Sequence, residues 1–313
     1  MDQIRAILRK PLFPGLVLIA IILLITAPRY ASTYTIILLA TICMHSVLSL
    51  SWAVFSGPTG YISLASAAFF GVGIYTSAIL GNQFPLVVLV LIAGLASFLV
   101  ALIVGALTLR LRGIYFSMFT FGLVALIKNL LLWWEMTVTR TRGRFVVIVD
   151  HVTVYYYMLT ILALALLAAY LIRRSRFGLA LRSIGDDEEA AAHAGVNINL
   201  LKTFTFAISA VFMGAAGAVM ATRWTYIDPY IAFNVLFSFM PVLMAIFGGV
   251  GQLLGPILGA AVFAYLEELL ITRFPYYYML LFGVILIVAV LYLPRGLIGL
   301  LQRWRRKGLG GQR

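Results

Sequence analysis

"PLVVLVLIAGLASFLVALIVGALTL", Pro85 to Leu109, carries no charged side chain and takes its only polarity from the hydroxyls of Ser97 and Thr108. A helix that crosses a bilayer needs about 20 apolar residues, because hydrocarbon leaves each backbone N–H and C=O to be satisfied within the segment itself. This stretch meets that length. Working outward from it, the same pattern recurs at 11–27, 32–54, 60–80, 114–134, 152–172, 203–222, 232–248, 252–271 and 276–293. The reading is an all-α polytopic membrane protein of about ten membrane segments (8–10), built as one transmembrane domain over 1–313. The segments at 60–80 and 252–271 are interrupted by Gly and Ser, which is tolerated at membrane depth where backbone faces protein or a cavity.

Composition agrees. Of 313 residues 63% are hydrophobic and 11% charged, against about 25% charged in soluble domains; the mean hydropathy is +1.07. The net charge of +13 sits in short connectors between apolar runs, a topological pattern that argues against nucleic acid as a partner. Cys43 is the single cysteine, which excludes a disulfide or a thiolate metal cluster within the chain. The start, "MDQIRAILRKPLFPGLVLIAIILLITAP", has the basic head and apolar core of a signal peptide but no small-x-small cleavage site. It is expected to remain as a first helix.

Placing both termini on the cytoplasmic side puts most Lys and Arg inside and leaves Arg29, Arg140, Arg142, Arg144, Arg223 and Arg273 outside. That asymmetry favours an even number of spans. The arginines of "TRTRGRF" run against it: either the loop covers a neighbouring subunit or an acidic partner, or the span at 114–134 is misassigned. "SGPTGYISLASAAFFG" (56–71) and "FGGVGQLLGPILGA" (247–260) share a Gly-x-x-Gly followed by a small-residue helix. An internal repeat of the kind transport folds carry and ordinary glycine packing are both open readings.

One stretch breaks the apolar pattern: "RRSRFGLALRSIGDDEEAAAHAGVNINLLK", 173–202, the predicted cytoplasmic loop 173–203. It opens with an amphipathic piece. Asp186 then stands as N-cap to a short helix with Glu189 at the capping-box position, acids at the positive end of the helix dipole and Gly195 as left-handed stop. From the residues alone this is either a solvated loop with balanced charges or a docking surface for a cytoplasmic subunit.

The segment 174–221 resembles the signature region of the branched-chain amino acid permeases of bacterial ABC importers. "GYISLASAAFFGVGIYTSAIL" (60–80), "LRLRGIYFSMFTFGLVALIKNLLL" (109–132), "FGGVGQLLGPILGAAVFAYLEELL" (247–270) and "LPRGLIGLL" (293–301) match further blocks in the family's order. "RLRGIYF" and "PRGLIGL" look more like the M-type permease than the H-type. The resemblance implies a non-enzymatic subunit in the bacterial inner membrane. Its implied partners are a second, H-type permease, two cytoplasmic ATPases and an extracellular binding protein. No cofactor is bound by this chain; the nucleotide is handled by the ATPases, consistent with the lack of any Gly-x-x-x-x-Gly-Lys-[Ser/Thr]. The charged loop then corresponds to the coupling helix, with Asp186, Asp187, Glu188, Glu189, Ala190, Ala191, Gly195 and Asn197 toward the ATPase. Departures fall elsewhere. Ser51 stands at a customary Asn, Ser63-Leu64-Ala65-Ser66 replaces Ser-Leu-Gly-His, and "IDPY" (227–230) replaces Ile-Ser-Pro. They bear on cargo, and urea or short-chain amide permeases share the scaffold.

Ser51, Gly57, Gly60, Ser63 and Ser66 are the candidate pathway lining, with helix packing and interhelical hydrogen bonding as the other reading. His45 is expected to be buried and hydrogen-bonded or to serve the pathway. Lys128 is expected to snorkel, and Glu267 and Glu268 to pair with Arg273 or Lys128. An ion-coupled carrier is disfavoured because no acid falls at the midpoint of a predicted span. A membrane enzyme is disfavoured because no paired acids, metal cluster or activated nucleophile occur together.

Overall fold

The structure is a computed structural model that describes residues 23–111 and 113–292. The first predicted segment lies mostly outside these residues, as do Arg112, the block 293–301 and both termini. Residues 23–30 are helical. There follow α1 (Thr33–Thr59), α2 (Ser66–Leu80), α3 (Leu86–Thr108) and α4 (Ile114–Trp134), the last continued by a π-turn over Glu135–Thr139. After the two-residue strand β1 (Arg144–Phe145) come α5 (His151–Arg174), α6 (Arg176–Asp186), α7 (Glu188–His193) and α8 (Ile198–Ala221). Strand β2 (Tyr226–Ile227), α9 (Pro229–Ala232), α10 (Leu236–Gly248), α11 (Gly255–Arg273) and α12 (Tyr278–Tyr292) complete the chain.

Among the described residues, 7 helices are long and apolar enough to cross a membrane. The predicted segment 60–80 is the main departure. Residues 60–65 are neither helix nor strand, and α2 has only 15 residues. Gly60 takes φ +73°, ending α1, and its N–H closes on Ser56 O at 3.0 Å. A side chain is strained at that φ, whereas glycine is not.

Two helices form the centre. In α1 and α8, 72% and 78% of the apolar window is buried, against 22% for α4, so the first two are wrapped by protein and the third faces outward. α1 runs about 40 Å and packs on α5, α8, α10 and α11, while α8 packs on α2 and α3. The α2–α8 contact is backbone on backbone. A Cβ on Gly73 would overlap the Gly214 carbonyl, and one on Gly217 the Phe70 carbonyl. Small residues let two helices approach this closely without a hydrophobic driving force from lipid. Phe206 of α8 then meets Phe55 of α1 (ring centroids 5.0 Å), Phe69 of α2 (5.1 Å) and Phe116 of α4 (6.1 Å). Such tilted and edge-on pairs add to the burial of the rings themselves.

The two ends of the bundle differ. At one, α6 and α7 sit beneath α1, α5 and α8. At the other, β1 and β2 pair antiparallel, Arg144 opposite Ile227 and Phe145 opposite Tyr226. The two glycine-rich windows come together at the α6–α7 end: each is a break between helices, and a Cβ on Gly57 would lie 3.0 Å from Val250.

Candidate functional site

The polar stretch folds into two short helices set end to end. Ser175 caps α6, its Oγ accepting from Gly178 N at 3.2 Å. The buried side of α6 is Gly178, Leu181 and Ile184, leaving Arg176, Leu179 and Arg182 exposed. The N-cap of α7 is Asp187 rather than the expected Asp186. Asp187 is extended, at φ −159° and ψ 115°, and its Oδ1 accepts from Glu189 N at 2.8 Å and Ala190 N at 3.1 Å. Asp186 belongs to the last turn of α6. The sequence pattern identified the helix but not the kink between two helices, which moves the cap one residue on.

The end of α7 is as expected. Gly195 has φ +84°, its N–H bonds Ala192 O at 2.9 Å, and Val196 N bonds Ala191 O at 3.1 Å. This is a Schellman closure, and Val196 packs in the same small apolar cluster as Ala191. Asn197 caps α8 through Leu200 N at 3.2 Å. Asp186, Asp187, Glu189, Ala190, Gly195 and Asn197 are exposed, and Ala191 is buried.

Glu188 behaves differently. Its Oε1 accepts from Lys202 Nζ at 2.7 Å and from Tyr61 Oη at 2.6 Å, and Lys202 is only 2% exposed. Sequence reasoning missed this cluster, because no local pattern pairs α7 with α8 across their turn and Tyr61 lies 127 residues from Glu188. Breaking such a pair leaves a buried charge unmatched, at about 3–5 kcal/mol. A cavity of about 530 Å³ adjoins, bounded by Gly60, Tyr61, Ser117, Gly185, Asp186 and Glu188 among others.

The candidate pathway residues divide into two groups. Ser63 and Ser66 share a cavity of about 10 Å³ with Ser56, Ser209, Trp52 and Phe206, room for about one water. Trp52 Nε1 donates to Ser63 O at 2.8 Å, and Ala65 N to Ser63 Oγ at 3.3 Å. Ser51 is fully buried in α1. Gly57 and Gly60 lie at the α6–α7 end, Gly60 exposed and on the larger cavity.

The expected pairing of Glu267 and Glu268 is corrected. Glu267 Oε2 lies 4.0 Å from His45 Nε2, and His45 is 5% exposed. His45 is about 18 Å along α1 from Thr33, so one carboxylate does reach the interior of the bundle, a point the span-by-span reading overlooked. Glu268 instead acts on Arg223. Burial lowers the Arg223 pKa and the Glu268 charge opposes that; Arg223 Nη1 donates to Thr41 Oγ1 at 2.9 Å. Lys128 lies 5.1 Å from the Tyr230 ring centroid and Arg142 lies 5.4 Å from it. Arg142 Nη2 is also 3.5 Å from Asp228 Oδ2. Part of the arginine-rich loop is therefore tied down on the β1–β2 end. No group of three or more His, Cys, Asp or Glu able to hold a metal occurs among the described residues.

Comparison with known proteins places this architecture. Residues 15–290 match the family described as branched-chain amino acid transport system / permease component. The high-affinity branched-chain amino acid transport system permease protein LivM of Escherichia coli (strain K12) is 26% identical over 318 residues, covering 90% of this chain and 74% of the relative. LivH of the same organism is 28% identical over 144 residues, 46% of each chain. The ribose import permease protein RbsC of Haemophilus influenzae is 25% identical over 130 residues, 40% of each. No solved structure matches. With multiple apolar spans around a glycine-packed centre and a family match over most of its length, the chain is a multi-pass inner-membrane permease component, not an enzyme, and belongs to the branched-chain amino acid transport permease family.

Proposed function

We propose that this chain is the M-type permease of an ABC importer for branched-chain or related small amino acids. It works with an H-type permease, two cytoplasmic ATPases and a binding protein that delivers cargo from outside. Ten spans with both termini in the cytoplasm fit this reading, and place the α6–α7 end inside and the β1–β2 end outside. The observation that carries the proposal is the α6–α7 pair: two capped helices with an exposed acidic rim, seated on the ends of α1 and α8. Loops left only to balance charge have no need of caps at every terminus. The pair is the coupling element, with Asp186, Asp187, Glu188, Glu189, Ala190, Ala191, Gly195 and Asn197 as its working residues.

Ser51, Gly57, Gly60, Ser63 and Ser66 mark the cargo route, with the cavity at Gly60 as its inner vestibule. The one-water space at Ser63 and Ser66 corresponds to a closed interior. Nucleotide-driven movement of the ATPases shifts the balance between closed and open arrangements.

The test is ATP-driven uptake in proteoliposomes of the whole complex, with radiolabelled leucine compared against urea and ribose. Asp186, Asp187, Glu188 and Glu189 are changed together to Ala, and ATPase co-purification is read beside uptake. Loss of both supports the coupling role. Retention of both refutes it. The preferred cargo decides between an amino acid and the urea or short-chain amide reading left open by the departures at Ser51 and Ser63–Ser66.

A further inference from the structure

Glu188 opens α7 beside Glu189, yet the two acids have opposite environments. Glu189 is exposed, whereas the Glu188 carboxylate is turned inward onto Lys202 Nζ at 2.7 Å and Tyr61 Oη at 2.6 Å. Lys202 Nζ also donates to Tyr61 Oη at 3.1 Å and lies 4.3 Å from the Tyr61 ring centroid. The three residues come from three separate elements: α7, the start of α8, and the non-helical turn 60–65 between α1 and α2.

A second contact runs parallel to this one. A Cβ on Gly185, in the last turn of α6, would overlap the Pro58 carbonyl at the end of α1. Leu181 and Ile184 of α6, Ala191 of α7 and Leu201 of α8 close an apolar cluster behind both contacts. The α6–α7 pair is therefore joined to α8 by a desolvated charge pair, to the turn by the Tyr61–Glu188 hydrogen bond, and to the end of α1 by direct backbone contact. A short, buried ion pair resists separation more than an exposed one does, because each charge pulled from its partner is left without water. When α7 shifts, Tyr61 and Lys202 move with it.

Residues 61–64 of the turn, in contrast, make no helical hydrogen bonds. Side chains from its neighbours hold it: Ser117 Oγ donates to Ile62 O at 2.7 Å, Leu64 N donates to Thr120 Oγ1 at 3.0 Å, and Trp52 Nε1 donates to Ser63 O at 2.8 Å. Tyr61 begins the run that ends at Ser63 and Ser66 on the one-water cavity. Along the chain Ser63 is two residues from Tyr61 and Ser66 is five.

We infer that Glu188, Lys202 and Tyr61 form a strut that transmits movement of the α6–α7 pair to the 60–65 turn and to α8, and so act as positioning residues for the transport cycle. This rests on the permease reading above and adds to it a specific mechanical link.

The experiment uses the complete complex in proteoliposomes and needs no knowledge of the cargo. Ile62, exposed on the turn, is changed to Cys and labelled with a water-soluble maleimide, with and without nucleotide trapped by vanadate. Hydrolysis and ATPase co-purification are measured in the same vesicles. In the otherwise unaltered chain, labelling changes at least threefold between the two nucleotide states. In a Tyr61→Phe background the ATPases stay bound and hydrolyse ATP, but the difference falls below about 1.5-fold, as it also does in Lys202→Gln. The exchange Glu188→Lys with Lys202→Glu restores at least half of it, which loss of packing alone would not allow. Labelling that ignores nucleotide in the unaltered chain, or follows it equally in Tyr61→Phe, overturns the strut. If the ATPases fail to associate even with the unaltered chain, the permease reading itself has failed, and the strut with it.

Discussion

The phenol of Tyr75 donates to Glu135 Oε1 across 3.1 Å, joining the middle of α2 to the π-turn that ends α4. The other carboxylate oxygen of Glu135 accepts from Gly143 N at 3.0 Å, and the residue is 2% exposed. One buried acid thus holds together α2, the end of α4 and the arginine-rich loop. Its backbone carbonyl accepts from Thr139 Oγ1 as well, at 2.9 Å.

Removing that carboxylate leaves the Tyr75 hydroxyl and the Gly143 N–H without their acceptor. Hydrogen bonds to a charged group contribute about 1.5–3 kcal/mol each, and a buried orphan is penalised further. Glu135→Ala is expected to destabilise the protein by about 2–4 kcal/mol on that basis. Tyr75→Phe, which leaves Gly143 bonded, should lose about 1–2 kcal/mol. Thermal unfolding in detergent, with tryptophan fluorescence as signal, reads the order. Equal effects for the two substitutions would show that the Gly143 contact contributes nothing.

His45 and Glu267 make a second interior pair, 4.0 Å apart between α1 and α11. Changing either alone leaves a polar group facing an apolar neighbour, whereas replacing both with apolar residues of similar volume removes the mismatch. His45→Leu and Glu267→Leu should each destabilise by about 1–3 kcal/mol, and the double variant by clearly less than their sum. Stability measured across that four-member cycle gives the coupling directly. Strict additivity would mean that the two side chains do not interact.

What could be read from sequence follows physical range. Long uncharged runs such as 85–109 identify helices because each run satisfies its own backbone. The α6–α7 pair was readable because caps and the Gly195 stop are local. The pattern points to a cap at Asp186, one residue before the true one, since a two-helix elbow and a single helix differ only in the backbone of Asp187. The Glu188–Lys202–Tyr61 cluster, the Tyr75–Glu135–Gly143 cluster and the His45–Glu267 pair were out of reach. Each unites residues from separate elements, and no periodicity records such a meeting. Glu267 shows the consequence: counted along its own segment it lies near an end, yet packing sets it against the interior of α1.

The α2–α8 contact predicts sensitivity to single methyl groups. A Cβ on Gly73 would overlap the Gly214 carbonyl, a backbone atom that can yield only if a helix moves. Overpacking of a tight interior is worth about 1–3 kcal/mol against the fold. Gly73→Ala should therefore lower stability by about 2–3 kcal/mol. Gly122→Ala, at an open position with nothing within 4 Å, should leave stability near that of the parent. Detergent unfolding of the two variants side by side is the check. Comparable stabilities for the two variants would mean that the close approach of α2 and α8 does not set the response, since helix propensity alone favours alanine at both sites.

The elbow between α6 and α7 makes neighbouring aspartates unequal. Asp187 Oδ1 takes two otherwise unpaired N–H groups of α7, those of Glu189 and Ala190, while Asp186 caps nothing. Loss of an N-cap destabilises its helix by about 1 kcal/mol, and asparagine recovers most of it because its carbonyl oxygen accepts in the same way. Asp187→Ala should loosen α7 and weaken ATPase co-purification several-fold, with Asp187→Asn close to the parent. Asp186→Ala should leave the helix intact, so any loss of binding it produces reports on charge at the docking surface alone. Amide hydrogen exchange across 187–196, measured beside co-purification, separates the two causes: faster exchange is expected in Asp187→Ala only. Faster exchange in Asp186→Ala would instead move the cap back to Asp186 and join the two short helices into one.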